Sequence, residues 1–251
     1  MTGEAAGQDE VNSSDTLTAR VVAWSSLKSG NEKEGISREV LKGATRDLSL
    51  LDIHAFTLDA GQSASTAGQF LNADALIIVK EGSLTVPLDN APKVLGPGGV
   101  ALFAAGSAPE LTNASTAPVT YYIFHFQSRG RKDSIRAQKA GPSFLIDWKE
   151  MPMKKTDKGE SRQIFNRPVA WLGKIDMHAT TLNAGEVSHA PHIHRNEEII
   201  LLRSGNVQLY IAGQYHKASG GDLVFFSSGV PHALENKSNG RCEYFALQWQ
   251  Q

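Results

Sequence analysis

The segment HAPHIHRNEEII, residues 189–200, places three histidines and two adjacent glutamates just before an apolar run. Imidazoles and carboxylates are costly to bury beside an apolar strand unless they are paired or bind an ion. His192 and His194 are two residues apart, so both side chains point to the same face of an extended chain. Glu198 follows four residues after His194, and His232 comes from a second predicted strand. We therefore predict that these two histidines, Glu198 and His232 converge on one divalent metal ion.

Imidazole and carboxylate ligands of this kind suit Mn, Fe, Ni, Zn, Co or Cu and select strongly against none of them. Four protein ligands in an octahedral shell leave open positions for water or substrate, as metal-dependent catalysis requires. Glu198 is in that case a ligand and also a candidate proton acceptor. Glu197 should point away from Glu198, because neighbouring side chains on a strand face opposite sides.

An internal repeat organises the elements that must carry these residues. Shifting the sequence by 124 residues aligns DIHAFTLDAG at 52–61 with DMHATTLNAG at 176–185, and Trp24 with Trp148. After a one-residue slip, Gly82 aligns with Gly205. Such a repeat determines the architecture. We predict a flexible tail at 1–18, a first domain at 19–127, a linker at 128–143 and a second domain at 144–251.

Each copy contains short β-branched and aromatic runs separated by glycine, such as ALIIVKEGSLTV and EIILLRSGNVQLYI. Runs of this length and composition indicate strands. Two all-β units of this size are typical of small barrels or sandwiches. We expect the copies to pack as an intrachain pseudo-dimer around a pseudo-twofold axis. An exposed strand edge would also allow the chain to form a homo-oligomer.

The spacing of the candidate ligands resembles the cupin superfamily. Its first motif, G(X)5–6HXH(X)3–4E(X)6G, is matched by Gly185, His192, His194, Glu198 and Gly205. Its second motif is matched by Gly221, Gly229, His232 and Asn236, with Ser227 where proline is usual. The resemblance implies two tandem double-stranded β-helix (jelly-roll) barrels, a bicupin, in which the three histidines and Glu198 are the metal ligands.

The first copy lacks these ligands. At the positions of His192, His194, Glu198 and His232 it has Gln69, Leu71, Ala75 and Pro109. We therefore predict an N-terminal barrel that holds no metal and supports its partner, with a metal-free ligand pocket as the alternative. His178 aligns with His54 of this metal-free copy, which favours a structural role for His178.

Several residues of the second copy are candidates for roles beyond metal binding. His189 has no counterpart in the first copy and is a candidate acid or base near the metal, a surface position being the alternative. Side chains on the C-terminal strands could line a substrate pocket, although aromatic residues in small barrels are more often core. These pocket candidates are Tyr210, Phe226, Phe245 and Gln248.

Composition limits the classes of partner. The formal net charge is −1 and no apolar run reaches membrane-spanning length, so neither nucleic acid nor a membrane is expected as a partner. Cys242 is the only cysteine, which excludes an intrachain disulfide and a cysteine-based zinc site. We expect a soluble protein that is cytoplasmic, with an exported mature form as the alternative, and a small-molecule substrate or ligand.

Three classes of function remain. The first is a metal-dependent enzyme for a small organic acid or sugar-like substrate, with dioxygenase chemistry ahead of isomerase or aminohydrolase chemistry. The layout also resembles ureidoglycine aminohydrolase, but that family's ligand set includes a glutamine and differs from this one. The second class is a non-catalytic binding or sensing protein, and the third is a storage or structural bicupin. The shape and polarity of the cavity beside the metal discriminate between catalysis and carriage.

Overall fold

The computed structural model describes residues 16–32, 35–67, 73–88 and 91–251. The strands of the first repeat are β1 Arg20–Val22, β2 Gly30–Glu32, β3 Gly35–Gly43, β4 Leu48–Leu58, β5 Ser63–Ser65, β6 Asp74–Glu81, β7 Leu84–Leu88, β8 Ala91–Leu95, β9 Val100–Phe103, β10 Glu110–Thr112 and β11 Val119–Ser128. Those of the second repeat are β12 Phe144–Ile146, β13 Lys154–Thr156, β14 Gly159–Arg167, β15 Lys174–Leu182, β16 Glu197–Ser204, β17 Asn206–Ile211, β18 Gln214–Ser219, β19 Leu223–Phe226, β20 His232–Glu235 and β21 Cys242–Gln250.

Helix is scarce within these ranges. Helix α1, Ser134–Ala140, connects β11 to β12, and short 3-10 turns occur at Trp24–Ser26 and Trp148–Glu150. In this part of the chain, no helix has the length and apolar character needed to cross a membrane.

The strands form two β-barrels, which confirms the predicted all-β fold. In the N-terminal barrel, a seven-stranded sheet in the order β12-β9-β6-β11-β4-β3-β2 faces a four-stranded sheet in the order β5-β10-β7-β8. In the C-terminal barrel, a seven-stranded sheet in the order β1-β19-β16-β21-β15-β14-β13 faces a three-stranded sheet in the order β18-β17-β20. The strand orders of the large sheets correspond repeat for repeat, as a duplication requires.

The two repeats exchange their first strands. β1, from the first repeat, pairs with β19 of the C-terminal barrel, and β12, from the second repeat, pairs with β9 of the N-terminal barrel. The predicted limits of 19–127 and 144–251 follow the sequence repeat, whereas β1 and β12 each complete a sheet formed mainly by the other repeat. Before β1, Leu17 is buried and its N–H donates to the Ala44 carbonyl at 2.8 Å. Residues 1–15 lie outside the described residues.

The central strands of the large sheets are buried on both faces. On β6, Leu76 and Ile78 pack in a core shared by both repeats, whereas Ile77 and Val79 pack inside the N-terminal barrel. This explains why ALIIV and EIILL are continuous apolar runs, since a strand buried on both faces has no solvent-facing side. The shared core joins the barrels into the predicted pseudo-dimer.

The two tryptophans aligned by the repeat occupy equivalent places. The Trp24 ring lies 4.5 Å from the Lys80 ammonium and 5.3 Å from the Arg38 guanidinium. The second repeat has the same arrangement at Trp148, Arg162 and Arg203. In each repeat the tryptophan that follows the exchanged strand therefore stacks against cations of its own repeat, which ties the exchanged segment to both barrels.

A buried asparagine closes the same turn in each barrel. The Asn113 side-chain nitrogen lies within 3.0 Å of the carbonyl oxygens of Leu58, Asp59 and Ala117, and its side-chain oxygen accepts from the Ser115 N–H at 3.1 Å. Asn236 makes the equivalent contacts in the second repeat. Asn236, the last residue of the second motif, therefore has a structural role in this turn.

Replacing Asn113 by alanine should lower the free energy of unfolding by about 3 kcal/mol, because several buried carbonyl groups and a backbone N–H lose their partner. Urea unfolding of the variant beside wild type measures the change. Thr116→Ala, at an exposed position of the same turn, is the control and should remain within about 0.5 kcal/mol of wild type. Equal stability of both variants would show that the asparagine does not hold the turn.

Candidate metal centre

The four predicted ligands come from one loop and two strands of the C-terminal barrel. His192 and His194 lie in the loop that precedes β16, Glu198 is the second residue of β16, and His232 is the first residue of β20. The loop is held in place because His192 and His232 exchange both backbone hydrogen bonds, at 3.0 and 3.1 Å. The Gly229 N–H also donates to the His194 carbonyl at 3.0 Å.

The side chains converge on one point. One ring nitrogen from each of His192, His194 and His232 lies within 4.8 Å of the other two. Glu198 Oε2 lies 3.2 Å from Nε2 of His194 and 3.2 Å from Nε2 of His232. Three imidazoles thus face a common centre, and the Glu198 carboxylate contacts two of them.

The hydrogen bonds behind the rings fix which nitrogen faces that centre. Nδ1 of His194 lies 2.8 Å from the Asn196 carbonyl, and Nδ1 of His232 lies 2.8 Å from the Val230 carbonyl. A carbonyl oxygen only accepts, so each Nδ1 carries a proton, and a neutral ring then presents a lone pair at Nε2. Both lone pairs would then face the acceptor Glu198, so either a proton or a metal ion must lie between each ring and the carboxylate.

The ionisation of these groups agrees with a cation site. Burial opposes the charge on Glu198, yet its hydrogen bonds with His194 and His232 lower its pKa to about 2. Glu198 in turn raises the pKa of His194 above its usual range. Nδ1 of His192 is buried and has no hydrogen-bond partner among the described residues. The residues present therefore fit a divalent metal ion, which would replace the protons that otherwise balance Glu198.

A cavity of about 190 Å³ adjoins this centre inside the C-terminal barrel. Three of the predicted residues line it, namely His189, Phe226 and Gln248. The His189 ring lies 4.1 Å from the His192 ring, and the Phe226 ring stacks on His232 at 4.2 Å. Burial, followed by the nearby His192, lowers the pKa of His189. A neutral imidazole therefore stands beside the ligand cluster at neutral pH.

Two predicted pocket residues lie elsewhere. Phe245 packs in the core shared by the barrels, 5.7 Å from the Trp148 ring, because its side chain faces away from those of Tyr244 and Ala246. Tyr210 lies between Leu209 and Ile211, whose side chains fill the barrel interior, and it contacts Tyr215 at 5.6 Å on the outside. Neither residue lines the cavity, since strand alternation assigns each to the other face.

The sequence interpretation missed three polar residues of the cavity. His178, assigned a structural role from the repeat, lines the cavity on β15. Ser188 and Tyr244 also line it, and their hydroxyl oxygens lie 3.0 Å apart. Tyr244 could have been found by the alternation of β21, because it shares the parity of Ala246 and Gln248.

The equivalent region of the N-terminal barrel is apolar. Ala75 and Pro109 stand where the other barrel has Glu198 and His232, and Ala75 is fully buried. Phe103, Tyr121 and Ile123 fill the interior beside Ala75. Gln69 and Leu71 lie outside the described residues. At the two described positions, the N-terminal barrel offers no metal ligand.

Comparisons with known proteins agree with this architecture. Residues 179–247 match the family model of the cupin domain. Across the chain, the fold is similar to that of a Pseudomonas aeruginosa protein described as glyoxylate-induced, with a TM-score of 0.74, 14% identity and coverage of 98% of this chain and 94% of that one. The fold is that of a bicupin.

Other solved structures show a similar likeness to this chain. Escherichia coli YlbA has a TM-score of 0.69 and 14% identity, with coverage of 92% of this chain and 90% of that one. Bacillus subtilis oxalate decarboxylase, a protein with Mn(II) centres, has a TM-score of 0.67 and 14% identity, with coverage of 93% and 78%. A search of curated proteins by sequence finds no match. Structural likeness at such low identity establishes the fold of this bicupin and leaves its activity to be argued from the site.

The purified bicupin should contain about one equivalent of transition metal, and His194→Ala and His232→Ala should each lose it, because either change removes one of four ligands. Elemental analysis of the three proteins measures this. His216→Ala is the control, since His216 lies on β18 and does not line the cavity. Metal retained in both ligand variants, or lost in the control, would contradict the assignment.

Proposed function

We propose that this bicupin is a metal-dependent enzyme that acts on a small organic acid or sugar-like molecule in the C-terminal barrel. One divalent transition-metal ion, of the group Mn, Fe, Ni, Zn, Co or Cu, is held by three histidines and Glu198. The observation that carries the proposal is the convergence of these ligands beside a cavity that is also lined by imidazole, hydroxyl and amide side chains. A storage protein has no need for such an arrangement.

When bound by the three histidines and Glu198, an ion of this group would supply Lewis-acid chemistry to a substrate oxygen. The chain supplies the remaining functions. Ile200, Phe226 and Leu234 supply apolar walls of the cavity. The hydroxyl groups of Ser188 and Tyr244, together with the Gln248 amide, can orient the oxygen atoms of a substrate.

His189 is the proposed acid or base. It borders the cavity beside His192 without belonging to the cluster of three ligand histidines. A proton can therefore move between a substrate and His189 while the ligands remain in place. His178 borders the same cavity and is the second imidazole within it.

The charge of the cavity favours one substrate class over another. In the part of the chain that the structure describes, neither lysine nor arginine lines the cavity. A small dianion would have the ion as its sole positive partner, and Glu198 already offsets part of that charge. The cavity is better suited to a neutral or singly charged chelating molecule, such as an enediol or a hydroxy acid. This supports oxygen-dependent cleavage of an enediol, the dioxygenase type, as the first reaction to assay.

His189→Gln should lower kcat by about 10² to 10⁴-fold while the bound metal remains at the wild-type level, because a positioned acid or base contributes about that factor. Oxygen consumption and product formation, with enediol and hydroxy-acid substrates and each metal loaded in turn, measure the effect. His216→Gln is the matched histidine control outside the cavity. A metal-loaded wild type that converts no substrate would contradict the enzyme assignment and favour a binding or sensing protein.

A further inference from the structure

A loop of the N-terminal barrel reaches the metal-ligand segment of the other barrel. This loop, residues 45–47 between β3 and β4, is almost completely buried at Thr45 and Asp47, which are 0% and 3% exposed. Its opposite side is held by the C-terminus, because the Gln251 side-chain N–H donates to the Asp47 carbonyl at 2.8 Å. The loop is therefore a fixed part of the barrel interface.

Glu197, next to the ligand Glu198, is bound by this loop. Its carboxylate accepts from the Thr45 hydroxyl at 2.5 Å and from the N–H groups of Arg46 and Asp47 at 2.9 and 3.3 Å. The Trp249 indole N–H donates to it at 3.1 Å. Glu197 is 1% exposed, so four donors from its surroundings replace water around this carboxylate.

Further contacts hold the chain on both sides of the ligands. Arg195, directly after His194, makes two hydrogen bonds of 3.2 Å to the Asp47 carboxylate, which is itself 4% exposed. The Arg46 guanidinium donates to the Ser228 hydroxyl at 3.0 Å. Ser228 precedes Gly229, whose N–H donates to the His194 carbonyl. The 45–47 loop thus makes hydrogen bonds to both segments that carry the ligands, the one around His194 and the one before His232.

The ligands and these anchors alternate along one segment. His194 and Glu198 face the metal centre, whereas Arg195 and Glu197 face the N-terminal barrel. Because adjacent residues share a backbone, fixing Arg195 and Glu197 also fixes the direction of the ligand side chains. We propose that the 45–47 loop of the metal-free barrel is a positioning element that sets the metal affinity of the C-terminal barrel. This inference depends on the metal site proposed above.

The first repeat supplies a matched control. Asp74 stands at the repeat position of Glu197, and its carboxylate is 2% exposed. It accepts from the Ala105 N–H at 3.2 Å and borders a small cavity with Val169 and Ala170 of the second repeat. The residue after Asp74 is Ala75, which is not a ligand. Changing Asp74 therefore alters an equivalent buried carboxylate with no ligand beside it.

The experiment titrates the full-length protein with Co²⁺, followed by calorimetry and by the visible absorption of the bound ion. Glu197→Gln should weaken Co²⁺ binding by about 10 to 100-fold, the loss typical when a group that orients metal ligands is changed. Asp74→Asn should remain within about twofold of wild type. Asp47→Asn disturbs the loop at its ion pair with the half-exposed Arg195 and should weaken Co²⁺ binding about tenfold. This variant replaces Glu197→Gln in the test if Glu197→Gln does not fold.

Three other outcomes are decisive. Wild-type affinity in both Glu197→Gln and Asp47→Asn would overturn the positioning role. An equal loss of affinity in Asp74→Asn would also overturn it, by showing a general loosening of the interface. Wild type that binds no more Co²⁺ than His194→Ala would instead refute the metal site itself, and with it both proposals.

Discussion

The central strands of both large sheets are buried on both faces, and this constraint determines what each of their side chains can do. On β16, Glu197 faces the other barrel and Glu198 faces the metal centre, so two adjacent carboxylates serve two different buried environments. Glu197 is surrounded by four hydrogen-bond donors at the interface, whereas Glu198 lies against two of the ligand histidines and borders the cavity. A shift of β16 by one residue would exchange the two carboxylates and destroy both sets of contacts. The register of β16 therefore links the interface to the site.

The duplication is symmetric in its scaffold and asymmetric in its chemistry. The exchanged strands, the stacked tryptophans and the turn asparagines occur in both repeats. The cluster of ligand side chains lies in the C-terminal barrel. In the N-terminal barrel, Ala75 and Pro109 stand at the positions of Glu198 and His232. An apolar interior needs no counter-charge, and the described part of the N-terminal barrel keeps a smaller cavity of about 110 Å³ beside Phe56, Thr66 and Tyr121. In our account it contributes the 45–47 loop instead of a second site.

Much of this arrangement could be predicted from the sequence because its signals are local. The candidate ligands lie within two short segments, and the internal repeat predicts two similar domains. Strand exchange could not be predicted, since Arg20–Val22 would complete the sheet of either barrel equally well by sequence. The cavity was only partly predicted because Tyr210 and Phe245 were chosen by residue type, whereas strand parity decides which side chains face inward. His178 was assigned a structural role because it aligns with His54 of the first repeat. That alignment gave no indication that His178 lines the cavity.

The central claim is that one metal ion binds in the C-terminal barrel, between three histidines and Glu198. X-ray diffraction from crystals of the purified protein, recorded above and below the absorption edge of the metal found in it, tests this most directly. The account predicts one anomalous peak within bonding distance of His192, His194, Glu198 and His232, and none inside the N-terminal barrel. A peak at another position, or equal peaks in both barrels, would contradict it.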